Sequence, residues 1–436
     1  MASLETPAVA SVPTTTPEPI APAYWRRKLF WIVLIGFVLR AGFVLVGHTY
    51  RVNQLHGTFG YGWEMGRIAQ SLADGHGFSS PFQKPTGPTA WEPPLYPLLM
   101  AGIYKIFGVY TKMSAFVLLT INSFFSALTC VPLFYLARRS FGIKIAKWSA
   151  WTWGVFPYAG YWAVKWIWET SITTCLLVTL VLMALRLAEG RRIGEWTLWG
   201  FLWGIGALIN PSILSMLPFI GLWIVWQLWQ QRRPWLVQAV VAGAMFWACI
   251  TPWLIRNYRV FHQPVFLRTN FGAEFRMGNG PGANGTWMFY VHPTHNVLEF
   301  QRFKQMGEIA YVKMRKQEAI DWIKANPGQF AKACVGRFVY YWTSVPWGGV
   351  IMAPKNWGFL ASSVTAFWGL FLMWKQRRHG WPLYAIALFI FPLVYYFVFP
   401  HPRYRAPIEP QMTVLIVFLF AQTSTLQKRH PELQEE

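Results

Sequence analysis

The stretch LFWIVLIGFVLRAGFVLVG, residues 29–47, decides the fold class of this chain. It is apolar over its whole length except for Arg40, and a run of this kind is typical of a helix that crosses a lipid bilayer. Because lipid offers no hydrogen-bond partner to the backbone, a spanning segment of this type must be helical. The basic residues just before it, within Tyr24–Lys28, form an interfacial anchor.

The whole chain has the composition of a multi-pass membrane protein. Its 436 residues are 54% hydrophobic and only 13% charged, with 27 Trp and 34 Phe. A soluble fold could not remove so much apolar surface from water, and long uncharged runs indicate bilayer helices. We therefore expect an all-α polytopic protein of about ten transmembrane helices, with later runs at residues 113–136, 144–161, 169–187, 195–209, 211–229, 235–255, 357–374, 380–399 and 407–425.

Lysine and arginine in the short loops predict the orientation of the bundle. Every short loop on one side is basic, so that side is cytoplasmic, and an even number of spans puts both termini there. Two long segments, about 48–112 and 256–356, then lie outside. The basic residues in question are Arg26, Arg27, Lys28, Arg138, Arg139, Lys144, Lys147, Arg186, Arg191, Arg192, Arg232, Arg233, Lys375, Arg377, Arg378, Lys428 and Arg429.

The net charge of +22 is explained by these loops. Loop charge orients the chain and attracts anionic lipid headgroups, so the lipid bilayer is an expected partner. No basic domain stands apart from the spans, and we therefore do not expect a nucleic acid as a partner.

The span boundaries predict five segments along the chain. They are a disordered cytoplasmic tail with a basic anchor (1–28), an N-terminal transmembrane module that includes outer loop 48–112 (29–256), an outer region with amphipathic helices (257–356), C-terminal transmembrane helices (357–425) and a cytoplasmic tail (426–436). The outer segments contain predicted helices of their own at residues 64–73, 93–108, 296–325 and 330–342. The second of these is apolar but short, so we expect it at the membrane interface.

Cysteine and histidine do not predict a metal centre. The cysteines are scattered and none pairs at metal-ligand spacing, so neither a disulfide framework nor a zinc site is indicated. His292 and His295 lie three residues apart in the second outer segment with no evident third ligand, so a solvated loop is the expected setting. A requirement for a divalent cation stays open. The cysteines are Cys130, Cys175, Cys249 and Cys334.

Three charged clusters that are far apart in the chain fall on the same side of the predicted membrane. Glu64 lies in the first outer segment, Glu169 opens a span in WIWETS, and HPRYR (401–405) lies between the last two spans. Acids that can carry out proton chemistry then share a compartment with arginines that can hold an anion. The threading therefore predicts a functional site on the non-cytoplasmic face.

The order of these features resembles the GT-C membrane glycosyltransferases, specifically the family 39 group of protein O-mannosyltransferases and bacterial aminoarabinose transferases. The resemblance covers most of the chain from about residue 30. It rests on an acid early in the first outer segment, a second acid at the next outer turn, and four matching stretches in the family's order. These stretches are the helix carrying Ile68, Ala69, Leu72, Gly75 and Gly77, then PPLYPLLMAGIYKIFG (93–108), TPWLIRNY (251–258) and RYRAPIEP (403–410).

The resemblance implies a GT-C-like bundle, a polyprenyl-phosphate sugar donor, transfer on the outer leaflet and inversion at the sugar carbon. It also implies that the acid of the first outer loop acts as general base. The chain departs from the family here, because many relatives carry Asp, often in an Asp-Glu pair, whereas Glu64 stands alone between Trp63 and Met65. A lone carboxylate is a poor cage for a divalent ion, which takes several oxygen ligands.

Glu64 is a candidate general base on chemical grounds as well. Glycosyl transfer from a lipid phosphate needs a group that takes the acceptor proton while the phosphate leaves. The apolar and aromatic neighbours Tyr61, Trp63 and Met65 could raise the pKa of this carboxyl. The alternative is an ordinary acid at a helix start, where the macrodipole favours negative charge.

Two further acids and one intramembrane arginine are candidates. Glu169 begins a predicted helix and is the second catalytic candidate, which would orient the acceptor or a bound cation. Glu92, in TAWEPP, is close in sequence to the first-loop acid and is a candidate for binding substrate. Arg40 lies inside the first span, where a charge usually has a partner or faces a wet cavity, and Glu169 is one conceivable partner.

Arg403 and Arg405 are candidates for holding the donor phosphate, because a guanidinium fork matches phosphate oxygens. They are two residues apart, so in an extended turn stiffened by Pro402 and Pro407 they would project to the same side. The alternative for this turn is an anchor to lipid headgroups. Further candidates are Arg256 and Arg268 for the phosphate, with His401 and Tyr404 as hydrogen-bonding groups for substrate.

The sequence leaves two main function classes. One is an inverting glycosyltransferase that moves a sugar from a polyprenyl-phosphate donor to an unidentified protein, lipid or glycan. The other is a transporter or flippase for a lipid-linked or anionic solute, although the internal repeats typical of transporters are not evident. A scaffold of an envelope complex is a third interpretation. The expected location is the bacterial cytoplasmic membrane, with the site facing the periplasm or exterior.

Overall fold

The computed structural model describes residues 22–52, 58–190, 192–345 and 354–429. The predicted disordered tail over residues 1–21, Arg191 of the basic loops, and residues 430–436 of the C-terminal tail lie outside these ranges. The first half of the chain forms α1 (Pro22–Val46), α2 (Glu64–Ala73), α3 (Leu95–Phe107), α4 (Lys112–Leu128), α5 (Cys130–Phe141), α6 (Ile143–Val155), α7 (Pro157–Lys165), α8 (Thr170–Leu187) and α9 (Ile193–Ile209).

The second half is also helical. It forms α10 (Leu217–Gln230), α11 (Leu236–Phe261), α12 (Phe271–Gly278), α13 (Val297–Met306), α14 (Glu308–Ala325), α15 (Pro327–Thr343), α16 (Pro354–Lys375), α17 (Trp381–Phe389), α18 (Leu393–Phe397) and α19 (Glu409–Arg429). Short 3₁₀ helices cover Thr58–Tyr61, Pro211–Ser215, Phe289–Val291 and Pro402–Ile408. Within the described ranges the chain has no β-strand, and Ser79 and Pro88 form an isolated antiparallel bridge.

Several helices have the length and composition of membrane spans. Among the described residues, five are long and apolar enough to cross a bilayer, and three shorter apolar helices accompany them. Large apolar side chains such as Phe43, Trp247 and Trp368 are exposed on these helices, as a lipid-facing surface requires. The prediction of an all-α, multi-pass membrane protein is confirmed, while the number of about ten spans and the domain boundaries stay predictions. The five long helices are Tyr24–Val46, Lys112–Phe141, Thr170–Leu187, Leu236–Phe261 and Asn356–Lys375.

The bundle packs around α8, most of which is buried. This helix lies against α4, α5 and α9 and against the 3₁₀ helix at Pro402–Ile408. The same apolar core continues from α5 through α8 to α17 and α19, with Leu133, Leu180, Leu388 and Leu415 fully buried. The first residues of α8 are thereby fixed beside the segment that carries Arg403.

Several predicted helices are interrupted in the structure, and three of the interruptions have a clear local reason. The run at 144–161 divides into α6 and α7 because Phe156, which precedes Pro157, is extended at φ −69 and ψ 121. The run at 380–399 divides into α17 and α18 just before Pro392. The outer helix at 296–325 divides into α13 and α14 at Gly307, whose φ of 77 ends a helix readily.

The outer segments contain the other helices that the sequence predicts. Helix α2 has the predicted bounds, α3 is the short apolar helix expected at the interface, and α15 covers the predicted helix at 330–342. Helix α12 was not expected, because it lies in a Gly- and Asn-rich part of the second outer segment. Of these helices, α2 and α12 contribute residues to the wall of a cavity that also includes the first residue of α8.

The extended turn predicted for HPRYR is wrong. Residues Pro402–Ile408 form a 3₁₀ helix, and His401 starts it by accepting a hydrogen bond at Nδ1 from the backbone N–H of Arg403, 3.1 Å away. Because a 3₁₀ helix has three residues per turn, side chains two apart leave it in different directions. Arg403 lines the cavity beside α8, whereas Arg405 is buried in the bundle.

Candidate active site

A sharp turn places Glu64 at the start of α2. Gly62 and Trp63 both adopt positive φ, 71 and 39 respectively, and positive φ is strained for Trp63 because it carries a Cβ atom. Gly62 also packs close to the carbonyl oxygen of Ile167, where a Cβ atom would lie 2.9 Å from that oxygen. The turn therefore fixes Glu64 against the segment that leads into α8, and only 5% of this residue is exposed.

Glu64 has a buried histidine as its partner. Nε2 of His292 lies 3.4 Å from Oε1 of Glu64, and His292 is only 2% exposed. Nδ1 of His292 accepts a hydrogen bond from the backbone N–H of Thr294, so the ring proton lies on Nε2 and points to the carboxylate. Aromatic rings of Trp63, Phe82 and Trp91 surround the imidazole. The expectation of a solvated loop is wrong for His292, although His295 is exposed.

Burial sets the protonation of this pair. Removal from water raises the pKa of Glu64 to about 7, while the charges of Arg67 and Arg403 act in the opposite direction. Burial, together with the nearby His295, Arg67 and Arg315, lowers the pKa of His292 to about 3. Near neutral pH the imidazole is therefore uncharged, and Glu64 is the member of the pair that exchanges a proton.

A cavity of about 360 Å³ opens beside this pair. It brings together Glu64, Glu92, Glu169, Arg268, Arg403, His401 and Tyr404, all of which the sequence analysis selected. The residues that it adds are mainly aromatic and polar, and include Trp63, Trp168, Asn210, Ser212, Asn270, Glu274, Trp287, His292 and Tyr395. A cavity with a few convergent polar groups in an apolar wall is the usual form of a ligand site.

Arg403 and Glu169 form a loose pair on one wall. Nη1 of Arg403 lies 3.8 Å from Oε2 of Glu169, and the guanidinium stacks 3.5 Å above the ring of Trp168. Asn210 holds the other carboxylate oxygen of Glu169 with a hydrogen bond of 3.2 Å. Among the described residues, neither Nη1 of Arg403 nor Oε2 of Glu169 has a hydrogen-bond partner. These two atoms are therefore satisfied only by their long ion pair with each other.

Glu92 and Arg268 come from two loops that a buried carboxylate ties together. Glu308, at the start of α14, accepts hydrogen bonds from Thr89, from the backbone N–H of Ala90 and from Thr269. These contacts hold the residues just before Glu92 and just after Arg268. Burial raises the pKa of Glu92 well above its usual range, although the charge of Arg268 opposes the shift.

Arg268 is the cavity arginine with the fewest polar contacts. It follows Leu267, whose φ of 59 is strained for a residue with a Cβ atom. Within the described part of the chain, its guanidinium makes no hydrogen bond and no ion pair within 4 Å. The charges of Glu92 and Glu274 are close enough to interact with it. The turn therefore presents an available cation to the cavity.

Three selected arginines lie outside the cavity. Arg405 pairs with Glu409 and donates to Ser362 and Ser363 inside the bundle. Arg256 donates to the backbone carbonyls of Thr89 and Phe78. The third is Arg40, in the first span.

Arg40 is held by neutral groups and not by Glu169. It donates to the hydroxyl of Ser126 and to the carbonyls of Gly36, Trp153 and Gly154. Two of these carbonyls belong to the end of α6, where helix carbonyls lack intrahelical partners. Arg40 is therefore satisfied without a counter-ion, and it stabilises the break between α6 and α7.

The sequence analysis missed several polar residues of the cavity, among them Asn210, Asn270, Glu274 and His292. Glu274 and Asn270 lie in or next to α12, which was not predicted, and Asn210 lies at the break before α10. His292 was selected only as a metal ligand and set aside. No spacing in the sequence links these residues, because tertiary packing alone brings the loops together.

The residues present do not form a cage for a cation. In the described ranges, no group of three or more His, Cys, Asp or Glu side chains is arranged to hold a metal ion. The cavity acids instead belong to separate walls, with an arginine or a histidine beside them. The divalent-cation requirement that the sequence left open thus gains no support from the side chains of the described residues.

Comparison with protein families gives a match to part of the chain, whereas comparison with curated protein sequences gives none. Residues 91–255 match the family described as dolichyl-phosphate-mannose-protein mannosyltransferase. This range includes Glu92, Glu169 and Asn210 of the cavity, and it ends just before Arg256.

Comparison with solved structures gives membrane glycosyltransferases. The oligosaccharyltransferase of Archaeoglobus fulgidus in its apo form aligns with a TM-score of 0.52 at 15% identity, over 95% of this chain and 52% of that one. The present chain therefore spans about half the length of that enzyme. ArnT of Cupriavidus metallidurans bound to undecaprenyl phosphate aligns with a TM-score of 0.36 at 12% identity, over 95% of this chain and 81% of that one.

The family match covers part of the chain, and the alignment with the oligosaccharyltransferase supports the fold over nearly all of it. The resemblance inferred from the sequence is confirmed over residues 91–255, which match the dolichyl-phosphate-mannose-protein mannosyltransferase family, and nearly the whole chain has a helical fold similar to that of the oligosaccharyltransferase.

Proposed function

We propose that this protein is an inverting glycosyltransferase that takes a sugar from a polyprenyl-phosphate donor. The observation that carries the proposal is that one cavity is lined both by a buried carboxyl with a pKa of about 7 and by two arginines, Arg268 and Arg403. A base and an anion-binding group are the two functions that this reaction needs from the protein. The family match supports the donor class, because its name specifies a dolichyl-phosphate sugar.

The reaction balances with the groups present. The acceptor oxygen attacks the anomeric carbon, and the bond from that carbon to the phosphate oxygen breaks on the opposite face, which inverts the centre. The electron pair of the broken bond leaves with the polyprenyl phosphate. Glu64 takes the proton of the acceptor, and His292 orients the carboxylate by donating from Nε2.

The arginines act on the leaving group. Arg268 and Arg403 neutralise the charge that grows on the phosphate as the bond breaks, and such electrostatic stabilisation often contributes more to catalysis than any other single effect. Glu169, held by Asn210, orients the acceptor hydroxyl. Since the loops on the other side of the bundle are basic, we place this chemistry at the outer face of a bacterial cytoplasmic membrane.

A transfer assay tests the function. Membranes containing the protein receive a panel of radiolabelled polyprenyl-phosphate sugars, with and without a chelator, and label that leaves the lipid is measured. We expect transfer of at least one sugar, and a loss of transfer of at least about 100-fold in Glu64→Gln. Movement of the intact labelled lipid across the bilayer without any transfer would instead indicate a flippase.

A further inference from the structure

Helix α12 presents one polar face to the cavity. Asn270, Glu274 and Met277 lie at intervals of four and three residues, so they share a face, and all three line the cavity. The backbone N–H of Glu274 donates to the carbonyl of Asn270, 3.0 Å away, which fixes the two side chains one turn apart. This face stands beside Arg268 and Arg403, whose charges act on Glu274.

The side chain of Asn270 does not cap helix α12, although its position at the start of this helix predicts that it would. It occupies the N-cap of α12, where an asparagine side chain normally accepts a hydrogen bond from the first turn. Its own side chain makes no such bond. Asn270 is only 2% exposed, and its Oδ1 has no hydrogen-bond partner among the described residues. An unsatisfied buried acceptor is costly, so a donor from a bound ligand would stabilise it.

The wall that carries Asn270 is rigid. A Cβ atom at Gly272 would collide with the carbonyl oxygen of Val312, so α12 can approach α14 this closely only because that residue is glycine. At the other end of α12, the buried Arg337 donates to the carbonyl of Gly278 and to Oδ1 of Asn279, the latter 3.0 Å away. Fixed groups of this kind bind a ligand without first losing much freedom.

We infer that Asn270 and Glu274 form a subsite that binds the hydroxyl groups of the donor sugar. Oδ1 of Asn270 and the carboxyl oxygens of Glu274 are hydrogen-bond acceptors, and sugar hydroxyls are donors. A lipid phosphate offers acceptor oxygens, so it suits Arg268 and Arg403 and not this wall. The inference rests on the proposed function, since it assumes that one donor molecule binds with its phosphate at the two arginines and its sugar at Asn270 and Glu274.

Binding measurements on the purified full-length protein test the subsite. The probes are undecaprenyl phosphate and its conjugates with mannose, glucose, galactose and arabinose. The variants are Asn270→Leu, which removes the acceptor at similar size, Asn270→Asp, which keeps an acceptor, and Glu274→Gln. Glu318→Gln is the control, because Glu318 forms ion pairs with Arg276 and Arg315 outside the cavity.

We expect the wild type to bind at least one conjugate more tightly than the bare lipid phosphate. Asn270→Leu and Glu274→Gln should each reduce that preference about 2- to 10-fold, the effect of one lost hydrogen bond. Asn270→Leu should bind undecaprenyl phosphate as the wild type does, and Glu274→Gln should bind it at least as tightly, because this change removes a negative charge beside Arg268 and Arg403. Binding of the lipid phosphate also shows that both variants are folded. Asn270→Asp should retain more of the preference than Asn270→Leu.

Two results would overturn the subsite alone. One is a wild type that binds every conjugate no better than undecaprenyl phosphate, and the other is a pair of variants that keep the wild-type preference. If both variants bind every probe more weakly by the same factor, the two residues stabilise the fold and do not bind the sugar. A wild type that binds neither the lipid phosphate nor any conjugate would remove the proposed function itself, together with the subsite.

Discussion

Nε2 of His292 lies 3.4 Å from Oε1 of Glu64 and joins the start of α2 to the loop before α13. The backbone N–H of Thr294 donates a hydrogen bond to Nδ1 of His292. The ring proton therefore lies on Nε2, from which the imidazole donates to the carboxylate. Because burial keeps His292 neutral, it does not compete for the proton that Glu64 takes. The histidine is thus a positioning residue, and its contribution is measurable through the pKa of its partner.

The pair predicts a specific pH dependence. A general base acts in its ionised form, and the pKa of Glu64 is raised to about 7, so kcat/KM should rise with pH through about 7 and fall on the acidic side. A hydrogen-bond donor beside the carboxylate favours its ionised form and so lowers the pKa of Glu64. In His292→Phe this pKa should therefore rise, and the acidic limb of the kcat/KM profile should move to higher pH. The exposed His295→Phe is the matched control and should leave the limb in place. An unmoved limb in His292→Phe would remove the positioning role.

Glu64→Gln should abolish most of the transfer activity while the donor still binds. General acid–base catalysis contributes about 100- to 10,000-fold, so the loss of kcat should be at least that large. Asp74→Asn is the control, since Asp74 is an exposed acid at the other end of the same helix. Near-normal turnover by a correctly inserted Glu64→Gln protein would contradict the assignment of the base.

The sequence predicts the membrane helices well because apolar runs and loop charges are local properties. Helix α2 is predicted to the residue, and the cavity gathers Glu64, Glu92, Glu169 and Arg403 from segments that the threading places on one face. The physical reason is that a membrane forces distant loops into the same compartment.

The arginines show where sequence reasoning fails. The sequence gives no reason to distinguish Arg403 from Arg405. In the structure, however, the 3₁₀ helix directs Arg403 into the cavity, whereas Arg405 pairs with Glu409. Arg256 follows a matching family stretch and yet binds backbone carbonyls. Asn270 carries no motif at all, and only the packing of α12 reveals that its side chain is unsatisfied. Side-chain direction depends on tertiary contacts that no spacing encodes.

The threading itself is testable with reporter fusions. The basic short loops predict that Arg192 lies in the cytoplasm and that the long segment containing Gly280 lies outside. Fusions of paired compartment reporters at these two positions should therefore give opposite signals. The same signal at both positions would contradict the proposed orientation and, with it, the outward-facing site.

Arg405 should matter for stability and not for donor binding. It forms a buried pair with Glu409, and removal of one partner of such a pair typically costs about 3–5 kcal/mol because the other charge is left uncompensated. Arg405→Met should therefore lower the thermal unfolding temperature in detergent. The double variant Arg405→Met/Glu409→Leu should recover part of that loss. A single variant as stable as the wild type would contradict this structural role.

The proposed binding of the donor phosphate by Arg268 and Arg403 distinguishes these two arginines from those outside the cavity. If these two hold the donor phosphate, lysine should not replace them, because a point charge cannot reproduce a bidentate fork. Loss of one charge-assisted hydrogen bond should weaken binding of undecaprenyl phosphate about 10- to 100-fold in Arg268→Lys and Arg403→Lys. Arg259→Lys is the control, since Arg259 lies near the end of α11 and does not line the cavity. If both cavity variants bind undecaprenyl phosphate as tightly as the wild type does, the donor phosphate binds at another site.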